Sequence, residues 1–515
     1  MAITSFKFLC FYALILILYY LVPVFTKKRG QWLVLLLASV LFYVVSGEPA
    51  LIAYPIGSAF VTWALLKILV RLDKKAIVKR RLVLIAELVV LLGILIGLKY
   101  VKFITGGGAH VPLGLSFYTF IILGYFIEVY NGIAVPVSGF LKTVLIGMYF
   151  PILISGPIYK ERESGDQFFE YHPLDYKNIT YGMIRMLWGF FKELVISERL
   201  AVVVNTIFGN DTQYQGAYIW VGAVCFAFQL YTNFSGCMDI VIGLSETFGI
   251  VLPENFKTPF LAKNISEYWR RWHITLGSWM KDNVFFPLLR TKLFTNIGKF
   301  LKKKIGKKKG KQLTTYIAMF ILWFSVGMWH GGEVKYVIGS GLLHWAYIVT
   351  GEITLPFFIW LFATKMHINL EGRFANGFRV VRTFFLVCVS FVFFRSDNVP
   401  HALRMLGEGI SVFNPWVLFN GSMLELGLDI YGWLIVFISL AILITVSILQ
   451  YRIEEASAGR IDDSRLTGIT CVRDIIAKRN IVIRWIVILG LLFFVILVAE
   501  YGPGYSAAEF IYKDF

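Results

Sequence analysis

Long apolar runs separated by short polar breaks set the rhythm of this chain. FLCFYALILILYYLVPVF at 8–25, LVLIAELVVLLGILIGL at 82–98 and IVIRWIVILGLLFFVILVA at 481–499 each approach the roughly 20 residues with which a helix crosses about 30 Å of hydrocarbon. About a dozen segments meet that length criterion, some of them re-entrant or interfacial. Inside the runs apolar and polar positions do not alternate, which argues against barrel strands. The pattern predicts an all-α polytopic membrane protein.

Two stretches break the rhythm. Between 256 and 311, Lys257, Lys263, Arg270, Arg271, Lys281, Arg290 and Lys292 are interleaved with aromatic and apolar residues and lead into KFLKKKIGKKKGK. That texture predicts amphipathic helices lying against, or dipping into, the cytoplasmic leaflet. The lysine run suits anionic lipid headgroups, and an anionic donor such as coenzyme A could use the same field. A shorter amphipathic segment near 400–413 precedes two final spans.

Charge then orients the chain. Of 515 residues 57% are hydrophobic and 16% charged, and the formal net charge is +18. The basic residues gather in loops beside spans, as cytoplasmic loops of membrane proteins do, so the charge needs no nucleic acid to explain it. KKR at 27–29, RLDKKAIVKRR at 71–81 and the cluster from Arg452 to Arg484 place those loops inside and both termini outside. The first run is followed by TKKRGQ without a small-residue cleavage pattern, and reads as a retained span. Five cysteines in mostly apolar stretches show neither a disulfide framework nor zinc-ligand spacing, so no metal is expected. No internal repeat stands out. The organisation expected is N-terminal helices over 1–99, a functional core over 100–400, an amphipathic segment with two spans over 401–500, and an aromatic tail over 501–515.

Polar groups at membrane depth are costly and mark cavities or pathways. Three stretches carry them: FAFQLYTNFSGCMDIVIGLSETFG at 226–249, reading as a helix pair with Gln229, Asn233 and Asp239; FLAKNISEYWRRWHITLGSWMKDNVFFPL at 260–288, with Glu267, Arg270, Arg271 and His273; and AMFILWFSVGMWHGGEVKYVIGSGLLHWAYI at 318–348. In the last, an apolar helix reaches Trp329 and His330 and stops at Gly331-Gly332. An imidazole buried there requires a partner or a wet cavity. His344, about four turns further on, either stacks below His330 or bonds a carbonyl.

NFKTPFLAKNISEYWRRWHITLGSWMKDNVFFPL followed by MWHGGEVKYVIGSGLLHW, with PLGLSFYTF, PILISGPI, GFFKELVISERLA and LYTNFSGCMDIVIGLSETFGI upstream, resembles the membrane-bound O-acyltransferase (MBOAT) family, in particular its bacterial alginate O-acetyltransferase-like branch. The resemblance runs in ordered blocks from about residue 100 to 400. It implies an MBOAT-type multi-helix bundle with a central transmembrane tunnel and cytoplasmic re-entrant or amphipathic helices. It also implies that His330 is catalytic and that His273 lies on the same tunnel toward the cytoplasm. The sequence departs from the family pattern at Trp345, where a glycine is common, and at Gly332-Glu333.

The chemistry implied is transfer of an acyl group from a thioester to a hydroxyl. A neutral imidazole suits removal of the hydroxyl proton as it attacks, which would make His330 the general base. His273 would orient the donor or relay a proton, or else serve as a structural partner of Glu267 or Asp282. Arg270 and Arg271 are candidates for the donor's phosphates, with lipid or loop contacts as the alternative. Asn233, Asp239, Trp329 and His344 are candidate lining residues, and helix–helix hydrogen bonding explains Asn233 and Asp239 equally well. No cofactor is expected to stay bound; acetyl-CoA or another acyl thioester is the donor substrate.

The tail FIYKDF at 510–515 resembles an aromatic-Ile-Tyr-aromatic motif of relatives in which the tyrosine is implicated as a covalent acyl carrier. Tyr512 would hold that position, since an aryl ester has a good leaving group. The alternative is an interfacial aromatic belt. The resemblance further implies an extracytoplasmic SGNH-type acyltransferase partner, a polysaccharide acceptor and a bacterial plasma membrane. Two other readings stay open: a teichoic-acid D-alanyl transfer protein, and a transporter, for which neither inverted repeats nor discontinuous helices in both halves are found.

Overall fold

The computed structural model describes residues 1–105, 110–460, 463, 466 and 468–500. Tyr512 and the rest of 501–515 lie outside the described residues. The described residues are helical, with one isolated antiparallel bridge between Phe256 and Trp272. Eight helices among them are long and apolar enough to cross a membrane, and Gln31–Ser46 and Leu115–Tyr130 are shorter apolar helices. Fewer long spans form than the run count of about a dozen. Some apolar stretches are divided, as at Phe140–Met148 and Phe150–Leu153. The 226–249 stretch is not a helix pair but part of one continuous helix, Ala217–Thr247.

The chain forms two compact units, residues 1–193 with 234–254, and residues 194–233 with 255–500.

In the first unit the helix Phe6–Phe25 shows how a segment apolar but for Lys7 near its start chooses its face. Ser5 caps it by accepting from the Phe8 amide at 3.2 Å, satisfying a donor the helix leaves unpaired. Phe8, Tyr12, Ile15, Tyr19 and Pro23 are buried at helical spacing, while Leu14, Ile17, Leu21 and Val24 are exposed. Since lipid is as apolar as leucine, packing and hydrogen bonds select the buried stripe. Accordingly the phenol of Tyr12 donates to Thr247 Oγ1 at 2.9 Å and that of Tyr20 to the Thr247 carbonyl at 2.6 Å.

Close backbone approach joins the helix Tyr176–Phe190 to the later half of Ala217–Thr247. A Cβ on Gly182 would lie 2.4 Å from the Gly243 carbonyl oxygen, and one on Gly189 2.6 Å from that of Gly236. Small residues at such crossings let helices exchange the most dispersion contact. Beside this seam Asp239 receives Lys192 Nζ at 2.6 Å and Arg185 Nε at 2.9 Å, Arg185 also bonds Glu254, and Lys192 donates to Ser235 at 2.8 Å. Buried charges persist when paired in this way.

The second unit is built on Lys307–Trp329, Val334–Lys365, Arg373–Arg395, Ile430–Ser457 and Ile481–Val498. The amphipathic helix Lys292–Ile305 folds back along Lys307–Trp329 through Gly306, whose φ of +88° favours glycine. Phe294 and Gly298 face the partner helix, while the lysines stay exposed. The expected segment near 400–413 is the helix Val399–Ser411. His401 ties it to Asp211 at 3.1 Å. Glu500, at the end of the last described span, pairs with Arg199 at 3.1 Å, and its amide donates to the Leu194 carbonyl at 3.2 Å.

Candidate active site

Two short helices, Ile265–Arg271 and Ile274–Met280, are joined at a corner made of Trp272 and His273. The corner is fixed from behind. The Lys257 amide donates to the Arg271 carbonyl at 2.9 Å, and the Ile274 amide to the Asn255 carbonyl at 3.0 Å. Those bonds hold His273 at φ +46°, a left-handed conformation that costs a non-glycine residue about 1–2 kcal/mol. Such a residue persists only where its surroundings over-determine it, and commonly where function uses it.

Asn255 then sets the ring. Its Oδ1 accepts from His273 Nδ1 at 3.1 Å, from Thr275 Oγ1 at 2.9 Å and from the Thr275 amide at 3.2 Å. With Nδ1 as donor, Nε2 is the acceptor nitrogen of a neutral imidazole. Burial pushes the His273 pKa down to about 3, so the ring is uncharged at physiological pH. Asn255 thus holds the Nδ1 side of the ring, while Glu267 accepts from Arg271 and from the Lys263 amide.

Trp329 joins the two histidines. Its indole meets His273 with ring centroids 5.6 Å apart and an interplanar angle of 62°, and its neighbour His330 at 4.9 Å and 70°. His330 caps the helix Lys307–Trp329, 3% exposed, with Phe394 at 6.2 Å. Gly331 and Gly332 follow with φ of +136° and +78°, so the predicted glycine break is present. The chain then returns so closely that a Cβ on Gly327 would lie 2.6 Å from Val337 Cα. This close return leaves the imidazole at a buried helix end instead of within a continuous rod.

His344 does neither thing expected of it. Its ring sits in a cage of Trp269 at 5.0 Å, Trp323 at 5.8 Å, Tyr347 at 6.0 Å and Tyr268 at 6.4 Å. No hydrogen bond is made by its Nδ1 or by Trp269 Nε1 among the described residues. Trp345 donates to the Tyr316 carbonyl at 3.0 Å and faces Phe320, bracing the same pair of helices.

The remaining candidates have distinct surroundings. Arg271 is buried, bonded to Glu267 at 3.0 Å, Glu454 at 2.9 Å, the Lys257 carbonyl and the Thr258 hydroxyl, with Glu455 at 3.7 Å and Tyr451 beneath it. Arg270 is exposed. Asn233 is buried in the second unit, and Asp239 belongs to the charge cluster of the first. Among the described residues no group of three or more His, Cys, Asp or Glu is arranged to hold a metal ion.

Comparison with known proteins gives this arrangement a context. Residues 138–394, which contain His273, Trp329, His330 and His344, match the model of the MBOAT, membrane-bound O-acyltransferase family. The chain is 33% identical over 334 residues to the probable alginate O-acetylase AlgI of Pseudomonas syringae pv. tomato, a match covering 64% of this chain and 58% of that protein. It is 30% identical over 419 residues to the probable alginate O-acetylase AlgI of Pseudomonas aeruginosa, covering 78% and 73%. The peptidoglycan O-acetyltransferase of Helicobacter pylori is 30% identical over 323 residues, covering 58% and 56%. With its histidine-bearing segments inside the matched region, this multi-pass chain belongs to the membrane-bound O-acyltransferase family.

Proposed function

We propose that this protein is an O-acyltransferase of a bacterial plasma membrane. It passes an acyl group, acetyl in the leading reading, from a cytoplasmic thioester such as acetyl-CoA across the membrane for O-acetylation of an extracellular or cell-wall polysaccharide. The observation that carries this reading is the pairing of two buried histidines, His273 and His330, through Trp329. Relatives named as alginate O-acetylases and a peptidoglycan O-acetyltransferase support the acetyl and polysaccharide assignments.

In this reading the donor enters a central tunnel from the cytoplasmic side, and exposed Arg270 meets its phosphates. His330 takes the proton of the acceptor hydroxyl as the oxygen attacks the thioester carbon. The acyl–oxygen bond forms, the carbon–sulfur bond breaks, and the proton passes from His330 to the departing thiolate. His273, neutral and oriented by Asn255, positions the donor. Arg271 is a structural cation here, since three carboxylates already surround it.

Both termini are outside in this account, and Tyr512 is the first acceptor, delivering the acyl group as an aryl ester to an SGNH-type partner. Twelve residues beyond Glu500, it has a reach of about 40 Å when extended. Incubation of the purified protein with acetyl-CoA followed by mass analysis of the peptide bearing Tyr512 tests this step. An adduct of one acetyl group, absent from Tyr512→Phe and from His330→Ala, is expected. Full polysaccharide acetylation by Tyr512→Phe without any adduct would eliminate the covalent carrier.

A further inference from the structure

An apolar cavity of about 230 Å³ lies within the second unit, apart from the histidines. Its walls include Phe228 and Tyr231 of Ala217–Thr247, Phe260, Val381 and Phe384 of Arg373–Arg395, and Leu443 of Ile430–Ser457. Thr258, Ser447 and Tyr231 are the lining residues whose side chains carry a polar atom. A cavity so lined does not hold ordered water, which requires two to four polar partners. Its volume is below the roughly 300 Å³ at which whole small-molecule sites begin. It therefore suits a stretch of hydrocarbon and excludes a nucleotide-bearing donor.

The cavity opens toward lipid. Val381 is 67% exposed and Ile444, also in its wall, 43%. Phe378, Phe385 and Ile448 on the same two helices are exposed as well. In a bilayer these faces meet acyl chains, so hydrocarbon has direct access to the opening.

Charge beside the opening selects the headgroup. Arg379 and Arg382 lie one turn apart on the helix that supplies Val380 and Val381. Arg382 donates to the Lys263 carbonyl at 3.1 Å, which fixes it beside the loop carrying Phe260. Among the described residues neither arginine is in an ion pair. The nearby carboxylates Glu267, Glu454 and Glu455 are engaged by Arg271 and Arg460. Two like charges a turn apart repel, and an anion between them removes that cost.

We propose that this groove binds an anionic glycerophospholipid, with one acyl chain in the cavity and the phosphate between Arg379 and Arg382. Basic pockets between spanning helices take anionic headgroups for the same reason. The assignment requires only that these helices span the membrane and does not depend on acyl transfer.

Native mass spectrometry of the full chain in detergent micelles tests it, with phosphatidylglycerol and phosphatidylcholine of identical chains supplied equally. One phosphatidylglycerol should be retained about tenfold better than phosphatidylcholine. The exposed substitution Val381→Trp should reduce both adducts, whereas Arg379→Gln with Arg382→Gln should lower phosphatidylglycerol to the phosphatidylcholine level and leave the latter unchanged. Inorganic phosphate should not compete. Equal retention of the two lipids, an undiminished adduct in Val381→Trp with unchanged melting temperature, or displacement by phosphate would overturn the proposal.

Discussion

His273 meets the indole of Trp329 edge-on, with ring centroids 5.6 Å apart. The histidine enters from a strained corner between two short helices, and the tryptophan from the last turn of a span. Because Trp329 also contacts His330, the three rings pack in sequence from the corner to the helix end on which His330 sits.

Asn255 should therefore matter beyond its own hydrogen bonds. Asn255→Ala removes the acceptor of His273 Nδ1 and of Thr275, leaving buried donors unpaired at about 1–3 kcal/mol. Acetyl transfer should fall about tenfold or more, chiefly in kcat, because a misplaced group harms the transition state more than binding. Asn255→Asp, which keeps the acceptor, should recover part of the rate. Steady-state kinetics on the folded fraction gives the split.

Arg270 and Arg271 should separate cleanly although they are neighbours. Arg271→Ala abandons Glu267, Glu454 and Glu455 in a largely buried setting and should destabilise by about 3 kcal/mol. A lower melting temperature and poor recovery from membranes would register it. Arg270→Ala should melt like the parent while raising the KM for acetyl-CoA.

Burial, with Asp166 and Glu128 nearby, pushes the Glu161 carboxyl up to about 8. Its folded pKa lies above the ordinary glutamate value of about 4.3, so between those values the folded state holds the proton that the unfolded state has lost. The stabilisation is complete below the lower value and declines as pH rises to the upper one. Melting temperature measured from pH 5 to 9 should show that decline, and Glu161→Gln should flatten it.

Gly189 tests the packing seam. A Cβ there would stand 2.6 Å from a backbone oxygen, where only the helices themselves can give way. Gly189→Val should cost at least about 1–3 kcal/mol through overpacking, seen as reduced folded yield. At Gly93 nothing beyond its own stretch of helix lies within 4 Å of such a Cβ, and Gly93→Ala should give a folded yield at least equal to the parent's.

Much of this architecture can be read from the sequence, and the rest depends on distant partners. Apolar runs announce spans because one helix satisfies its own amides. The W-H-G-G segment announces His330 because an imidazole and two glycines interrupt such a run. Arg271, by contrast, resembles a phosphate ligand until Glu454, 183 residues away, is seen to occupy it. The cage around His344 draws on Tyr268, Trp269 and Trp323, whose convergence no local spacing encodes. Glu87 was legible in principle. It is a lone carboxylate inside the run 82–98, and it is wholly buried, accepting from Thr62 at 2.5 Å. The single helix Ala217–Thr247 reads as two because its polar residues mimic a break; they serve packing and ion pairs instead.

The general-base assignment of His330 is the centre of the account. The most direct measurement is transfer of labelled acetyl from acetyl-CoA to polysaccharide in membranes carrying the parent or His330→Ala at matched protein level and melting temperature. The account predicts a loss of at least about 100-fold, the usual contribution of a positioned base. Transfer by His330→Ala within twofold of the parent would contradict it.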